Sequence, residues 1–170
     1  MVERELTRQR ETEAMAKSHY ETLMEEWALL RERGRTGRVV IKGKEIPWRQ
    51  SKQALGKTLL YPTVHDTAVK NWMVFLQDIR SHSGKHRHQG GLCIFVLEGK
   101  GWTNVDGERH DWEEGDLILL PVKPNGIEHQ HFNAVLGAPC KWLAFIYQPY
   151  MECTGAQMEQ REVHPDFKEA

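Results

Sequence analysis

The stretch "HRHQGGLCIFVLEGKG", residues 86–101, decides how the rest of the chain is read. It sets two histidines one residue apart, follows them with a glutamine and two glycines, and then runs into apolar residues closed by "EGKG". Side chains two apart on a strand leave the backbone on the same side, so His86 and His88 project together. The run "LCIFVL" is apolar on both faces, which predicts a strand held between two layers rather than one on a wet sheet surface. Cys93 is read with it as a small core residue.

Working outward, short apolar runs recur at 38–41, 57–62, 71–79, 101–105, 116–122, 127–135 and 141–149, separated by Gly, Pro and Asp. That texture predicts an all-β sandwich or barrel. The pair "DG" at 106–107 is a hairpin signal, and "EEGD" at 113–116 turns the chain again. Residues 151–170 read as an irregular or short helical tail packed over the outside of a barrel spanning 38–150.

Residues 1–37 read as a helical arm. Positions 3–33 contain neither Gly nor Pro, and Leu23, Trp27 and Leu30 share one face of an amphipathic helix expected to end at Gly34. The helix suits packing on its own domain or on a second subunit, which makes a homodimer the expected assembly.

Composition limits the partners. The chain has 170 residues, with 23 Lys and Arg against 24 Asp and Glu. Such a balance supplies no broad basic field for nucleic acid. No apolar segment reaches the roughly 20 residues that a membrane helix needs, and "MVERELTRQRETEAMAK" is too charged for a secretion signal. A cytoplasmic protein with no membrane partner is expected. The three cysteines lack CxxC spacing and read as reduced thiols.

Chemistry is concentrated in two places. His129 and His131 in "EHQHFN" share a strand face as His86 and His88 do, so four imidazoles could converge. Neutral imidazole is a favoured ligand for Fe, Cu, Ni and Zn. Taken alone, an HxH fits two solvated surface histidines as well as a metal site.

The first stretch and "GDLILLPVKPNGIEHQHFN", residues 115–133, resemble the paired motifs of the cupin superfamily. An HxH strand enters a glycine turn, and Gly115, Pro121, Gly126, His129 and Asn133 follow in order. The resemblance covers about residues 70–148 and implies a single cupin (jelly-roll) barrel with a bound metal. Two departures stand out. The glutamate that cupins usually place four or five residues after the second histidine is replaced by Leu92 or Cys93, and the loop "VKPN" lengthens the second motif.

The remaining three-histidine set resembles the gentisate dioxygenase group of cupins, which use non-haem Fe(II) and O2 to cleave an aromatic ring. The resemblance implies His86, His88 and His129 as metal ligands, with His131 in a catalytic or substrate-binding position. Three neutral ligands leave the charge of a divalent ion uncompensated, so a chelating anion is the expected substrate. Gln89 offers an amide to that substrate, and Gly90 and Gly91 are read as leaving room for it.

Fe(II) is the expected cofactor, with Zn, Mn, Ni or Cu also compatible. A non-redox lyase, isomerase or decarboxylase and a non-catalytic small-molecule-binding cupin are the alternatives. Glu98, Glu108 and His110 are left open as pocket residues. His19, His65, His82 and His164 are read as surface residues, and Trp72, Trp102, Trp112 and Trp142 as core or rim.

Overall fold

The computed structural model describes residues 11–12, 17–63, 66–155 and 157–169. Helix α1 (His19–Thr36) begins at Ser18. The Ser18 hydroxyl accepts from the Glu21 N–H, and the Glu21 carboxylate accepts from the Ser18 N–H, which satisfies two helix-start donors. The helix passes through Gly34 instead of ending there. Gly34 stands in open space, so its only penalty is the propensity cost of about 1 kcal/mol.

Gly37 is the true terminus. A Cβ there would lie 2.6 Å from the Ala68 nitrogen, so the close approach of the 67–68 backbone demands glycine and ends the helix. Arg33 ties the same contact by donating to the Thr67 carbonyl. Most of the stretch expected as helix before Lys17 lies outside the described residues. "RVVI" is not a strand: only Arg38 bridges to Thr67, and Val39 and Val40 are exposed. Three apolar residues without a ladder partner have no reason to stay extended. The described residues up to Val39 and residues 66–69 make up one compact unit, and residues 40–63 and 70–169, as far as described, a second.

The second unit consists of two antiparallel sheets. One has the order β1 (Arg49–Gln50), β2 (Leu55–Leu60), β3 (Trp72–Asp78), β10 (Lys141–Tyr147), β5 (Leu92–Glu98), β8 (Leu117–Leu120). The other has the order β11 (Met158–Glu162), β4 (Lys85–His88), β9 (Ile127–Asn133), β6 (Lys100–Val105), β7 (Glu108–Glu113). Among the described residues no ladder joins the two sheets, so the expected barrel is an unclosed sandwich. Its edges are a two-residue strand, a four-residue strand, and the polar strands β7 and β11, all poor partners for closure.

The core lies between the sheets and includes Ile94, Val96, Trp112, Ile118, Ile127, Trp142 and Ala144. Strand β5 alternates: Leu92, Ile94 and Val96 are buried, while Cys93, Phe95 and Leu97 are exposed. The expected second cover over "LCIFVL" is therefore absent within the described residues, and Cys93 is a surface residue. On the outer face of the other sheet Trp102 stacks on Phe132, centroids 5.0 Å apart, and the Arg109 guanidinium lies 4.1 Å from the Trp102 centroid. This ladder shields the sheet's apolar exterior.

Asp106 and Gly107 both have positive φ, 51° and 89°, and make the tight turn between β6 and β7 that "DG" predicts. The tail departs from expectation. After helix α2 (Gln148–Cys153), β11 joins the sheet beside the histidine strand, with Gln160 opposite His86 and Met158 opposite His88.

Candidate metal centre

Strands β4 and β9 pair so that His86 stands opposite His129. Parity then turns His88 and His131 to the same inner face. Two constraints hold this register. A Cβ on Gly126 would lie 2.7 Å from the His88 carbonyl oxygen, so only glycine lets β9 enter so close to β4. At the far end the Ser83 hydroxyl accepts from the His131 N–H, and the Ser83 N–H donates to the His131 carbonyl.

His86, His88 and His129 bring one ring nitrogen each to within 4.8 Å of one another. His88 Nε2 and His129 Nε2 are 2.9 Å apart. The Gly90 N–H donates to His88 Nδ1 at 2.8 Å, so the neutral His88 ring carries its proton on Nε2 and shares it with His129 Nε2. His129 then holds its own proton on Nδ1, which is buried with no partner, as is His86 Nδ1. These converging nitrogens are poorly satisfied by one another, and a divalent ion held by a neutral His88 ring at Nε2 would need the His88 proton on Nδ1, with the Gly90 N–H contact released.

The rings are kept neutral by their surroundings. Burial lowers His86 to about 4, assisted by repulsion from His88. Burial also lowers His88 to about 4 and His129 well below the ordinary imidazole value, the latter with further repulsion from His131, His86 and His88. At neutral pH all three rings are uncharged. Among the described residues no carboxylate joins the group.

His131 is fully buried, and burial lowers it to about 3. Its Nδ1 lies 2.8 Å from the Thr103 hydroxyl, which accepts the Trp112 indole N–H at 2.9 Å. An indole N–H can only donate, so the arrangement that leaves no buried donor unpaired sends the Thr103 proton to His131 Nδ1. His131 therefore carries its proton on Nε2. Thr103 and Trp112 were not legible as site residues, because their link to His131 depends on the β6–β9 register that pairs Thr103 with His131.

Gln89 is buried; its amide NH2 donates to the Met151 carbonyl and its Oε1 has no partner. The space expected at Gly90 and Gly91 is filled. Cβ atoms there would lie 1.9 Å from the Pro121 carbonyl oxygen and 2.6 Å from the Tyr150 ring, so both glycines serve close packing at positive φ.

A cavity of about 500 Å³ opens elsewhere, between β6, β7 and β8. It reaches Thr103 and Val105, the latter in register with His129, and its rim carries Glu108 and His110. Glu98 instead pairs with Lys141 at 2.5 Å. His164 is buried, contrary to the surface expectation, and its Nδ1 accepts from the Asp166 N–H. His82 is half-buried against Phe132, and His65 lies outside the described residues.

Residues 74–146 match the family described as Cupin domain. A gentisate 1,2-dioxygenase of a Streptomyces species is 43% identical over 65 residues, covering 38% of this chain and 17% of that protein. Another, from a Ralstonia species, is 35% identical over 85 residues, 47% of this chain and 23% of that protein. The chain thus spans less than a quarter of the length of these relatives. A solved variant of salicylate 1,2-dioxygenase from Pseudoaminobacter salicylatoxidans in complex with gentisate superposes with a TM-score of 0.53 at 23% identity, over 88% of this chain and 39% of that one. At that identity the likeness speaks for the fold.

Proposed function

We propose that this chain, a cupin over residues 74–146, is a mononuclear non-haem Fe(II) dioxygenase that cleaves a small anionic aromatic substrate, a hydroxy-carboxylate or phenolate, with O2. The observation that carries the reading is an all-imidazole donor group, His86, His88 and His129, beside a His131 ring fixed as a hydrogen-bond donor. An Fe(II) ion, when bound, supplies the redox chemistry through which O2 oxidises the substrate.

The chain's own residues do the rest. His86, His88 and His129 stay neutral and leave the ion's charge to be matched by the substrate anion. The cavity beside Thr103 and Val105 is of the size that takes a small ligand. His131 Nε2–H donates a hydrogen bond to a substrate oxygen and orients it, the ring staying neutral. Gln89 Oε1 is the acceptor available to a substrate hydroxyl.

The test is anaerobic loading with Fe(II) or Zn(II), followed by an oxygen-electrode screen of hydroxybenzoates, catechols and dicarbonyl acids. The Fe(II) protein is expected to consume O2 in step with product, and the Zn(II) protein to turn nothing over. Equal turnover by both forms under argon would replace the dioxygenase with a non-redox lyase or isomerase, for which Glu108 or His110 at the cavity rim would be the base.

A further inference from the structure

A row of polar groups crosses the inner face of the six-stranded sheet at the edge away from β8. Arg49 stands opposite Gly56, Gly56 opposite Gln77, and Gln77 opposite Trp142. Residues directly opposite one another project from the same face, so all four positions share the face that carries Trp142 into the core. Gly56 adds no side chain to the row. A Cβ there would lie 3.3 Å from Gln77 Cγ, so the Gln77 side chain leans over Gly56, the position between it and Arg49.

The other three members are hydrogen-bond donors with nothing to donate to. Trp142 is 3% exposed, and its buried Nε1–H has no partner, whereas Trp112, the other indole of the core, donates to Thr103. Gln77 is buried and Arg49 exposed, and among the described residues neither side chain makes a hydrogen bond or ion pair. An orphan donor in a core is rare enough to need a reason.

The row borders a cavity of about 750 Å³ whose wall includes Arg49, Gly56, Lys57, Phe75 and Gln77. Trp142 meets Phe75 edge-on with ring centroids 5.9 Å apart, lies 5.0 Å from His131, and through it reaches His129, another 5.1 Å on. Among the described residues no carboxylate lines the cavity, and Lys57, its Nζ donating to the Gly43 carbonyl oxygen, adds a second positive charge. Arg49 and Trp142 are three strands apart, about 14 Å between backbones at about 4.8 Å per strand. A ring that carries its hydroxyl and carboxylate side by side cannot engage both ends, even with Arg49 extended along the row.

We propose that this cavity takes the far end of an elongated, two-ended aromatic anion, with a phenolic head between the Trp142 and His131 N–H groups and a distant carboxylate held by Arg49 and Gln77. The proposal rests on the dioxygenase reading for the fate of the head, and it narrows that substrate to an aryl-extended hydroxy acid. The phenolic oxygen gives the Trp142 N–H the acceptor that it lacks. The planar fork of Arg49 matches a carboxylate, and Phe75 lies along the apolar body between the two ends.

The test is calorimetric titration of the full chain as purified with three ligands: a linear hydroxybiphenyl carboxylate with its two groups at opposite ends, the matching carboxamide, and salicylate. The biphenyl acid is expected to bind at least about 10-fold more tightly than either of the others. Arg49→Gln, at an exposed position, should weaken the biphenyl acid by about 10–100-fold, the range for losing a charged hydrogen bond, and leave the carboxamide within about 2-fold. Trp142→Phe should weaken both biphenyl ligands by about 10-fold, because it removes the donor at the head and keeps an aromatic ring in the core. Salicylate bound as tightly as the biphenyl acid, an Arg49→Gln effect equal on acid and carboxamide, a Trp142→Phe protein that binds as the wild type does, or a wild type that binds no biphenyl acid would each overturn the proposal. The titration involves no turnover, so a chain that binds as expected yet consumes no O2 with Fe(II) would overturn the dioxygenase reading and leave the binding site standing.

Discussion

Take the metal-free protein from pH 7.5 to pH 4.5. Unfolded histidines titrate near 6.5, whereas burial holds His86 and His88 at about 4 in the fold. Above pH 6.5 both states are neutral at these rings and nothing is gained or lost. Below it the unfolded chain takes up protons that the folded chain refuses, so stability falls with falling pH by about 1.4 kcal/mol per unit for each ring. By pH 4 the loss is about 3 kcal/mol for each of His86 and His88, set against a typical total of about 5–15 kcal/mol.

The assay is urea unfolding followed by tryptophan fluorescence, since Trp112 and Trp142 are buried. Wild type is compared with His86→Gln plus His88→Gln, which removes two titrating rings and leaves every other group in place. At pH 7.5 the gap between the two proteins reflects packing alone. Between pH 6.5 and pH 4.5 it should shift in the variant's favour by about 2–3 kcal/mol per unit. Parallel stability curves over that range would refute the account, because they would mean that the two rings are protonated alike in both states. Zn(II) is expected to add stability at pH 7.5, and acid should remove that gain as protons compete for the same nitrogens.

His86→Ala, His88→Ala and His129→Ala should each abolish stoichiometric metal binding, measured by elemental analysis, while the circular dichroism of the sandwich is kept; full metal content in any one removes that residue from the ligand set. His131→Ala should retain metal and lose turnover by about 10²-fold or more. Thr103→Val should move the His131 proton, seen in imidazole nitrogen shifts, and cost about 1–3 kcal/mol by stranding the Trp112 N–H; Thr103→Ser should restore both.

Period-two alternation and turn chemistry carried most of the fold. "DLILLPV", "IEHQHFNAV" and "KWLAFIYQP" each contain a strand of the structure, and "DG" makes the turn it predicts. The misses have a common physical origin in partners that are not local. "RVVI" has strand propensity but no ladder to join, whereas "MEQRE" has no apolar alternation yet pairs along β4 because that edge is open to it. Gly34 looked like a helix stop, but the stop is the backbone contact at Gly37, which comes from residues more than twenty-five positions away.

The candidate site divides along the same line. His86, His88 and His129 could be read because parity and motif spacing are local, and the opposition of His86 to His129 needs only one strand pairing to bring them together. The proton positions could not. They depend on Gly90 donating to His88, on Thr103 lying beside His131 across β6 and β9, and on Trp112 reaching Thr103 from β7. The first is set by the turn that leaves β4, and the other two require the β6–β9 and β6–β7 registers, where a slip of one residue would turn the donor to the opposite face. Residue types therefore announced which atoms could bind, while the register decided which nitrogen keeps its proton, and a reaction at His131 depends on the second as much as on the first.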